Sequence, residues 1–534
     1  MLLSLLNTLN VFSQDILWEK SLGGKDAEYL FDAIPTPDYG FILAGSSTSS
    51  KSGNKYDSNK GSLDYCIWKM NEKGDLEWQK TFGGSGIDIL QNVKLTKDAG
   101  FILAGISNST KDGDKREKNK GESDFWVLKL DAKGNEIWQK TIGGSSQENL
   151  ETILQTSDGG YLLGGTSNSN KYDNASSVEK DYFNKTDDCR GGLDYWIIKL
   201  GAEGNIEWQK TYGGNYNDEL RSIVVTKDGN YLVAGYSNSS ISGDKKEDSF
   251  GLGDYWVLML NTKGNIIWQR TIGSKQDDNL STVIQLNAGG FMLGGSSNSE
   301  SSSLKEKGSS NGSDFWLVKI DDSGNILWEN SYDYGKEDIL TSIIENEDSS
   351  LLIGGYVKTE IDHNNPASRQ KNKTDKEGIN DYIALKIDQK GEIFWEKSVG
   401  SKGEEVLKVA FETRDGGYLF AGTSKGNPSR DKESNIGDGD FWIVKVKDKT
   451  KPKKKVITIE AMPNPASSFT NIIVNFEYQR GTATLYDLNG RKLKEIEISG
   501  ERTIPVELSN YPQGIYVVDI QTNTNHEAIK VIKK

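Results

Sequence analysis

The feature of this sequence that most limits its fold is an internal repeat. A tryptophan recurs seven times, and a leucine follows each of these tryptophans at a distance of 12 residues. Fixed spacings of this kind, with one segment that varies in length, are typical of a structural repeat whose core tolerates no insertion. The recurring tryptophans are Trp18, Trp78, Trp138, Trp208, Trp268, Trp328 and Trp395.

Each repeat predicts four short strands. The first surrounds the leucine, the second follows a D-G-G turn such as the one before Tyr161, the third begins at an aspartate, and the fourth carries the tryptophan. From that aspartate to the next tryptophan the distance is 14 residues, for example from Asp124 to Trp138. Four antiparallel strands repeated seven times predict an all-β fold, a seven-bladed β-propeller at residues 15–446.

The two ends of the repeat region predict that the ring closes on itself. The seventh repeat ends after its third strand, at residues 440–446, and lacks a fourth. The chain begins with an isolated fourth strand at residues 16–21. We therefore expect the first strand to complete the last blade.

Composition argues against several classes of binding partner. The net charge of −14 argues against nucleic acid, because binding to phosphates needs a surplus of Lys and Arg. No apolar run is long enough to span a membrane. The two histidines, His363 and His526, have no zinc spacing with cysteines, and we predict no catalytic or cofactor-binding residue.

Strand alternation places every long, variable loop on one face, which makes that face the candidate binding surface. An acidic residue stands two positions before each repeat leucine, and the third strand opens with an aspartate. Carboxylates in this arrangement suit Ca²⁺. The alternative is that they accept hydrogen bonds from backbone N–H and hydroxyl groups and tie strands together. The calcium candidates are Glu28, Asp88, Glu148, Asp218, Asp278, Asp338 and Glu405.

Two hypotheses about function remain open. The first is a non-catalytic propeller that binds an unknown protein or glycan through the long-loop face. The alternative is an extracellular hydrolase or lyase that acts on polysaccharide. An enzyme is expected to break the repeat where its catalytic residues lie, and repeat six is the candidate. It has Val357 where six repeats have serine, His363 in its loop, and Tyr332-Asp333-Tyr334 in place of the usual glycines.

The last part of the chain has a different pattern. A Lys-rich linker at residues 447–456 is followed by strand-rich sequence at residues 457–534. Four motifs stand there in order: Pro463-Asn464-Pro465, the segment from Asp487 through Gly490 to Arg491, the segment from Gly514 to Tyr516, and a terminal stretch with Lys533. This segment resembles the C-terminal sorting domain of type IX secretion cargo in Bacteroidetes.

The resemblance implies a small Ig-like β-sandwich that engages the type IX secretion machinery. It further implies export through the periplasm, with the product released or held at the outer cell surface. Residues 1–14 fit this expectation, since they resemble a signal peptide that lacks its positive start.

A second resemblance concerns the repeat itself. The segment from Asp131 to Trp138 has the pattern D-x-x-G-N-x-x-W. This pattern is similar to the tryptophan-docking repeat of quinoprotein propellers, and it implies a tryptophan packed between blades.

Overall fold

A computed structural model describes residues 14–171, 184–301, 305, 308, 312–358, 380–449 and 458–534. Residues 1–13 of the predicted signal peptide, His363 and residues 450–456 of the predicted linker lie outside these described residues. Within the described residues every regular element is a β-strand. No helix in this part of the chain is long and apolar enough to cross a membrane.

The described part of the repeat region forms seven four-stranded antiparallel sheets, which we call blades 1 to 7. Blades 1 to 3 contain β2 (Glu28–Pro35), β3 (Phe41–Ser47), β4 (Asp64–Met70), β5 (Leu76–Phe82), β6 (Asp88–Leu95), β7 (Phe101–Ser107), β8 (Asp124–Leu130), β9 (Glu136–Ile142), β10 (Glu148–Gln155), β11 (Tyr161–Ser167), β12 (Asp194–Leu200) and β13 (Ile206–Tyr212). Blades 4 and 5 contain β14 (Asp218–Val225), β15 (Tyr231–Ser237), β16 (Asp254–Leu260), β17 (Ile266–Ile272), β18 (Asp278–Gln285), β19 (Phe291–Ser297), β20 (Asp314–Ile320) and β21 (Ile326–Tyr332). Blade 6 contains β22 (Glu337–Glu345), β23 (Leu351–Lys358), β24 (Asn380–Ile387) and β25 (Ile393–Val399).

Blade 7 confirms the predicted closure of the ring. Its strands are β26 (Glu405–Glu412), β27 (Tyr418–Ser424), β28 (Asp440–Lys447) and, from the other end of the chain, β1 (Asp15–Leu22). β1 pairs antiparallel with β28, with Leu22 opposite Phe441. The seven first strands, β2, β6, β10, β14, β18, β22 and β26, contact one another in succession round the axis.

The register places the long loops on one face. In blade 1, Glu28 at the start of the first strand pairs with Ser47 at the end of the second, and Ser47 pairs with Asp64 at the start of the third. The loops before β2 and between β3 and β4 therefore lie together. We call this side the long-loop face and the opposite side, with the tight turns, the short-turn face.

The recurring tryptophans pack between blades, as the docking pattern predicted. Trp78 of blade 1 lies 5.9 Å, centre to centre, from the ring of Phe101 in blade 2. Gly134, in a short turn of blade 2, has a φ of 77°. A Cβ added there would lie 2.8 Å from the Trp78 ring, so the turn needs glycine both for its conformation and for this close approach.

The C-terminal segment is a second, smaller β-structure. A three-stranded sheet of β29 (Ile459–Met462), β30 (Phe469–Val474) and β33 (Thr503–Glu507) packs with a four-stranded sheet. The latter contains β31 (Gly481–Asp487), β32 (Lys492–Ile498), β34 (Gly514–Thr522) and β35 (His526–Lys533). Ile472, Val474, Leu485, Val518 and Val531 belong to one buried cluster between the sheets, as expected for a sandwich.

The C-terminal sandwich contacts the short-turn face of the propeller. Arg502 forms an ion pair with Glu72 of blade 1 at 3.0 Å, and Glu501 forms one with Lys133 of blade 2 at 2.9 Å. Glu460 also pairs with Arg414 of blade 7. The long-loop face is on the opposite side from these contacts.

Candidate functional site

The seven calcium candidates form a buried ring under the long-loop face. In each blade the carboxylate accepts a hydrogen bond from the backbone N–H four residues earlier, as when Gly84 donates to Asp88 at 2.8 Å. In blade 2 the Ser109 hydroxyl also donates to Asp88, at 2.9 Å. The members Glu28, Asp88, Glu148, Asp218, Asp278, Asp338 and Glu405 all have 0% exposure.

The third-strand aspartates form a second buried ring, and each stands across a blade junction from a member of the first. Burial raises the pKa of Asp124 to about 7, and the nearby Glu148 of the next blade adds to the rise. A glycine separates the blades there, because a Cβ added to Gly143 would lie 1.9 Å from Asp124 Oδ1. The members are Asp64, Asp124, Asp194, Asp254, Asp314, Asp381 and Asp440.

Among the described residues, six buried lysines that the sequence pattern was not used to predict lie between these carboxylates. In blade 2 burial lowers the pKa of Lys115, while Asp124 and Asp88 of the same blade act in the opposite direction. The signal was present, because a lysine stands nine residues before the third-strand aspartate in the first five repeats and eight residues before it in the last two. The lysine of repeat six, Lys373, lies outside the described residues. The six are Lys55, Lys115, Lys185, Lys245, Lys305 and Lys432, none more than 4% exposed.

This alternation of charge accounts for the two acidic rings as parts of the scaffold. Hydrogen bonds from backbone and hydroxyl groups satisfy many carboxylate oxygens, and buried ammonium groups balance the charge. The geometry thus supplies part of what the structural alternative requires. Within the described residues one buried oxygen in each of seven ring carboxylates accepts no hydrogen bond, namely in Asp64, Asp88, Asp194, Asp218, Asp254, Asp278 and Asp338. Calcium at the first ring stays a prediction.

One blade junction departs from the others. Among the described residues, Asp314, Asp333 and Asp338 each offer an oxygen, and these oxygens lie within 4.8 Å of one another. Asp333 stands where the other junctions have glycine, so a third carboxylate joins the usual pair. Burial raises the pKa of Asp338 to about 7, with further contributions from Asp314 and Asp333.

Blade 4 differs from its neighbours on the surface of the long-loop face. Its two loops there expose four large apolar side chains, which we call the blade-4 rim: Tyr216 (57%), Ile241 (60%), Phe250 (54%) and Leu252 (60%). The loops contact each other, since the Ser242 hydroxyl bonds to the Asn215 side chain at 2.9 Å. The rim was not predicted from the sequence, although the loops of the repeats differ in sequence at these positions.

The equivalent positions of the other blades can be compared with this rim. Blades 1 to 3 carry a basic residue at both the Ile241 and the Phe250 positions. Exposed apolar groups in place of charged ones are typical of surfaces that bind a partner. The basic equivalents are Lys51, Lys111 and Lys171 for Ile241, and Lys60, Lys120 and Arg190 for Phe250.

The predicted sorting-motif residues hold the C-terminal sandwich together. The Asn464 side chain donates to the Lys530 carbonyl at 2.7 Å and accepts from the Ile532 N–H at 2.9 Å, so the first motif is tied to β35. Pro463 and Pro465 flank it in the sequence. Lys533 donates to the carbonyl of Leu508 at 2.7 Å.

The other two motifs form turns and a strand. Asp487 accepts from the Arg491 N–H at 3.0 Å and pairs with its guanidinium at 3.3 Å, and Gly490 between them has a φ of 78°. Gly514 begins β34. The buried Tyr516 donates its hydroxyl hydrogen to the Pro512 carbonyl at 2.6 Å.

Of the two histidines, the structure describes His526. It is exposed, and its Nε2 lies 2.8 Å from Asp519 Oδ1 at the end of the sandwich. His363 of repeat six lies outside the described residues.

Comparison with known proteins identifies the C-terminal segment. Residues 460–534 match the family described as the secretion system C-terminal sorting domain, Por_Secre_tail. The chain therefore carries a type IX sorting domain, which engages the type IX secretion machinery and indicates secretion toward the cell surface or the extracellular space.

A more distant relative matches part of the chain. Over 235 residues, which are 42% of this chain and 24% of the relative, this chain is 22% identical to the Regulatory protein FlaEY of Caulobacter vibrioides. The chain thus spans about a quarter of that relative's length.

Two solved structures are similar at low TM-scores. A puromycin hydrolase gives a TM-score of 0.42 at 7% identity, over 87% of this chain and 62% of that chain. A Synechocystis apocarotenoid oxygenase gives 0.37 at 10% identity, over 82% and 94%. These scores support no inference about activity.

Proposed function

We propose that this protein is an exported, non-catalytic binding propeller that recognises a protein or glycan through its long-loop face. The signal at residues 1–14 and the route through the periplasm are parts of this proposal. The observation that carries it is the blade-4 rim, where Ile241 and Phe250 stand in place of the basic residues of blades 1 to 3.

The position of the sorting domain supports this use of the long-loop face. Arg502 and Glu501 hold the sandwich against the short turns of blades 1 and 2. The loops of blade 4 are therefore free to meet a partner while the sorting domain engages its machinery. A rigid scaffold with variable loops on one face is a common arrangement for recognition.

The rim has the composition of a binding centre. Aromatic side chains such as Tyr216 and Phe250 supply large contact areas at small cost in conformational entropy. Aliphatic Ile241 and Leu252 add apolar area. Two polar side chains lie beside the rim: Asn215 accepts a hydrogen bond from the Ser242 hydroxyl of the other loop, and Asp248 accepts one from the Ile241 N–H of its own loop.

The test uses glycan and protein arrays with the full chain. Ile241→Lys and Phe250→Lys restore the residue of the neighbouring repeats, so both variants are expected to fold like the wild type. We expect them to lose the array partners of the wild type, whereas the matched surface variant Lys111→Ala keeps them. Partners bound equally by all four proteins would contradict a binding role for the rim.

A further inference from the structure

The first strands of the blades surround the axis of the propeller, which we call its channel, and each contains a bulge at the same place. The pairing with the second strand shifts by one residue directly after the repeat leucine in every blade. A bulge re-aims the extra side chain. The bulged residues, which we call the channel ring, are Phe31, Gln91, Glu151, Arg221, Ser281, Thr341 and Lys408, and all seven are half-buried.

The residue type at the channel-ring position differs from one blade to the next. The residue directly before each member is leucine in all seven blades, and the residue three positions before is always Asp or Glu. The ring itself contains seven different amino acids. A position that served the scaffold alone would be expected to repeat as its neighbours do.

Contacts between blades show that these side chains meet. Arg221 Nη1 lies 3.3 Å from Glu151, and its Nη2 lies 2.6 Å from Glu219. Lys408 Nζ lies 5.3 Å from the centre of the Phe31 ring. Burial lowers the pKa of Lys408 and Glu151 raises it, so blades 3 and 7 interact electrostatically across the ring.

Two polar side chains of the ring, those of Gln91 and Ser281, make no hydrogen bond within the described part of the chain. The Lys408 ammonium lies over the Phe31 ring and interacts electrostatically with Glu151, but no carboxylate oxygen lies within 4.0 Å of it. The Arg221 guanidinium, in contrast, forms ion pairs with two glutamates. The ring therefore offers one ammonium, one amide, one hydroxyl and the face of Phe31 to an incoming molecule.

We propose that the channel ring binds a small hydroxylated carboxylate, such as a sugar acid, with its carboxylate on Lys408. The amide of Gln91 and the hydroxyl of Ser281 hydrogen-bond to its hydroxyl groups. The ring of Phe31 packs against its carbon skeleton. This site lies in the channel, so the inference goes beyond recognition by the blade-4 rim and does not depend on it.

The experiment is calorimetric titration of the full chain with D-glucuronate and with D-glucose at millimolar concentrations. We expect saturable binding of glucuronate and weaker binding of the neutral sugar. Lys408→Met is expected to weaken glucuronate binding by about tenfold or more, since it removes a charge-assisted hydrogen bond. The control Lys397→Met, in the outer strand β25, is expected to bind as the wild type does.

Two further variants distinguish binding in the channel from binding at the blade-4 rim. Gln91→Glu keeps the size of the side chain, adds a negative charge to the ring, and is expected to weaken glucuronate binding. Phe250→Lys is expected to leave it unchanged. Absence of saturable binding, equal binding of glucose, unchanged affinity in Lys408→Met, or loss of binding in Phe250→Lys would each overturn the proposal.

Discussion

Trp442 in the third strand of blade 7 donates its indole N–H to the carboxylate of Glu19 in β1, at 2.5 Å, so a side-chain hydrogen bond joins the two ends of the ring. In blade 2 the same bond joins Trp126 to Gln139 at 3.1 Å. The closing blade thus keeps the contact of an ordinary blade, with an acid in place of the amide.

This bond predicts a difference between two substitutions of Glu19. Glu19→Ala leaves the Trp442 N–H without a partner and is expected to destabilise the propeller by about 2 kcal/mol. Glu19→Gln restores the residue of blade 2 and is expected to retain wild-type stability. Urea unfolding followed by tryptophan fluorescence measures both, and equal loss in the two variants would show that the bond is not the cause.

The buried lysines predict a large effect from a single substitution. Lys115→Met leaves Asp88 and Asp124 without their balancing charge, which is expected to cost about 3 kcal/mol. Lys111, four residues earlier, is exposed, and Lys111→Met serves as the control with no expected loss. Thermal unfolding of the two variants decides the matter: a similar melting temperature for both would mean that the carboxylates do not depend on Lys115.

The raised carboxylate pKa values predict that acid stabilises the propeller. Burial raises the pKa of Asp124 to about 7 and of Asp254 to about 6. The folded chain therefore holds more protons than the unfolded chain between their ordinary pKa of 3.8 and these values. The associated stability is fully present below about pH 4 and is lost as the pH rises to about 7.

Melting temperatures at about pH 5 and about pH 8 test this linkage. We expect the higher value at the lower pH. Some carboxylates act in the opposite direction. Hydrogen bonds from Thr156 and Lys199 lower the pKa of Asp158 to about 2 despite its partial burial. Its contribution to the stability of the folded chain is therefore lost only in more acid solution. A melting temperature that rises toward pH 8 would contradict the prediction.

The third carboxylate at the junction of blades 5 and 6 predicts a stabilising substitution. Asp333→Asn removes the charge next to Asp314 and Asp338 at nearly constant size, and we expect a higher melting temperature at about pH 8 in the presence of a chelator. Asp228→Asn removes an exposed charge elsewhere and is the control.

Calcium chloride extends the same experiment to the predicted calcium ring. If Ca²⁺ binds at Asp338, the wild type gains thermal stability with added calcium and Asp333→Asn gains less. Equal gains in both proteins would place any calcium effect elsewhere.

The spacing of Trp, Leu and Asp was sufficient to predict the blades and the closing strand, because these residues fill the space between sheets and repeat with it. Trp78 and Leu90 are examples: one docks on the next blade and the other is fully buried. The pattern of strand pairing follows from such positions without knowledge of the loops.

The buried lysines and the blade-4 rim were not predicted, because the conformation of the loops determines whether these side chains are buried or exposed. Lys115 is buried, and its ammonium donates to the Ser109 carbonyl at 3.1 Å and to Asn119 Oδ1 at 3.2 Å within its own loop, whereas a polar loop sequence predicts exposure for such a residue. Phe250 is exposed because its loop directs it outward, although an aromatic residue is ordinarily expected inside. The channel ring depends on a bulge, which the strand pattern did not indicate.

The pairing of β1 with β28 also has a consequence for the order of events during synthesis. β1 emerges first, yet its partner is separated from it by more than four hundred residues, so β1 stays an unpaired edge until the ring is almost complete. Such non-local contacts fold slowly, and an open edge invites association with other chains. The final strand of the ring is followed closely by the sorting domain, so the chain can close its ring and present its sorting domain at nearly the same time.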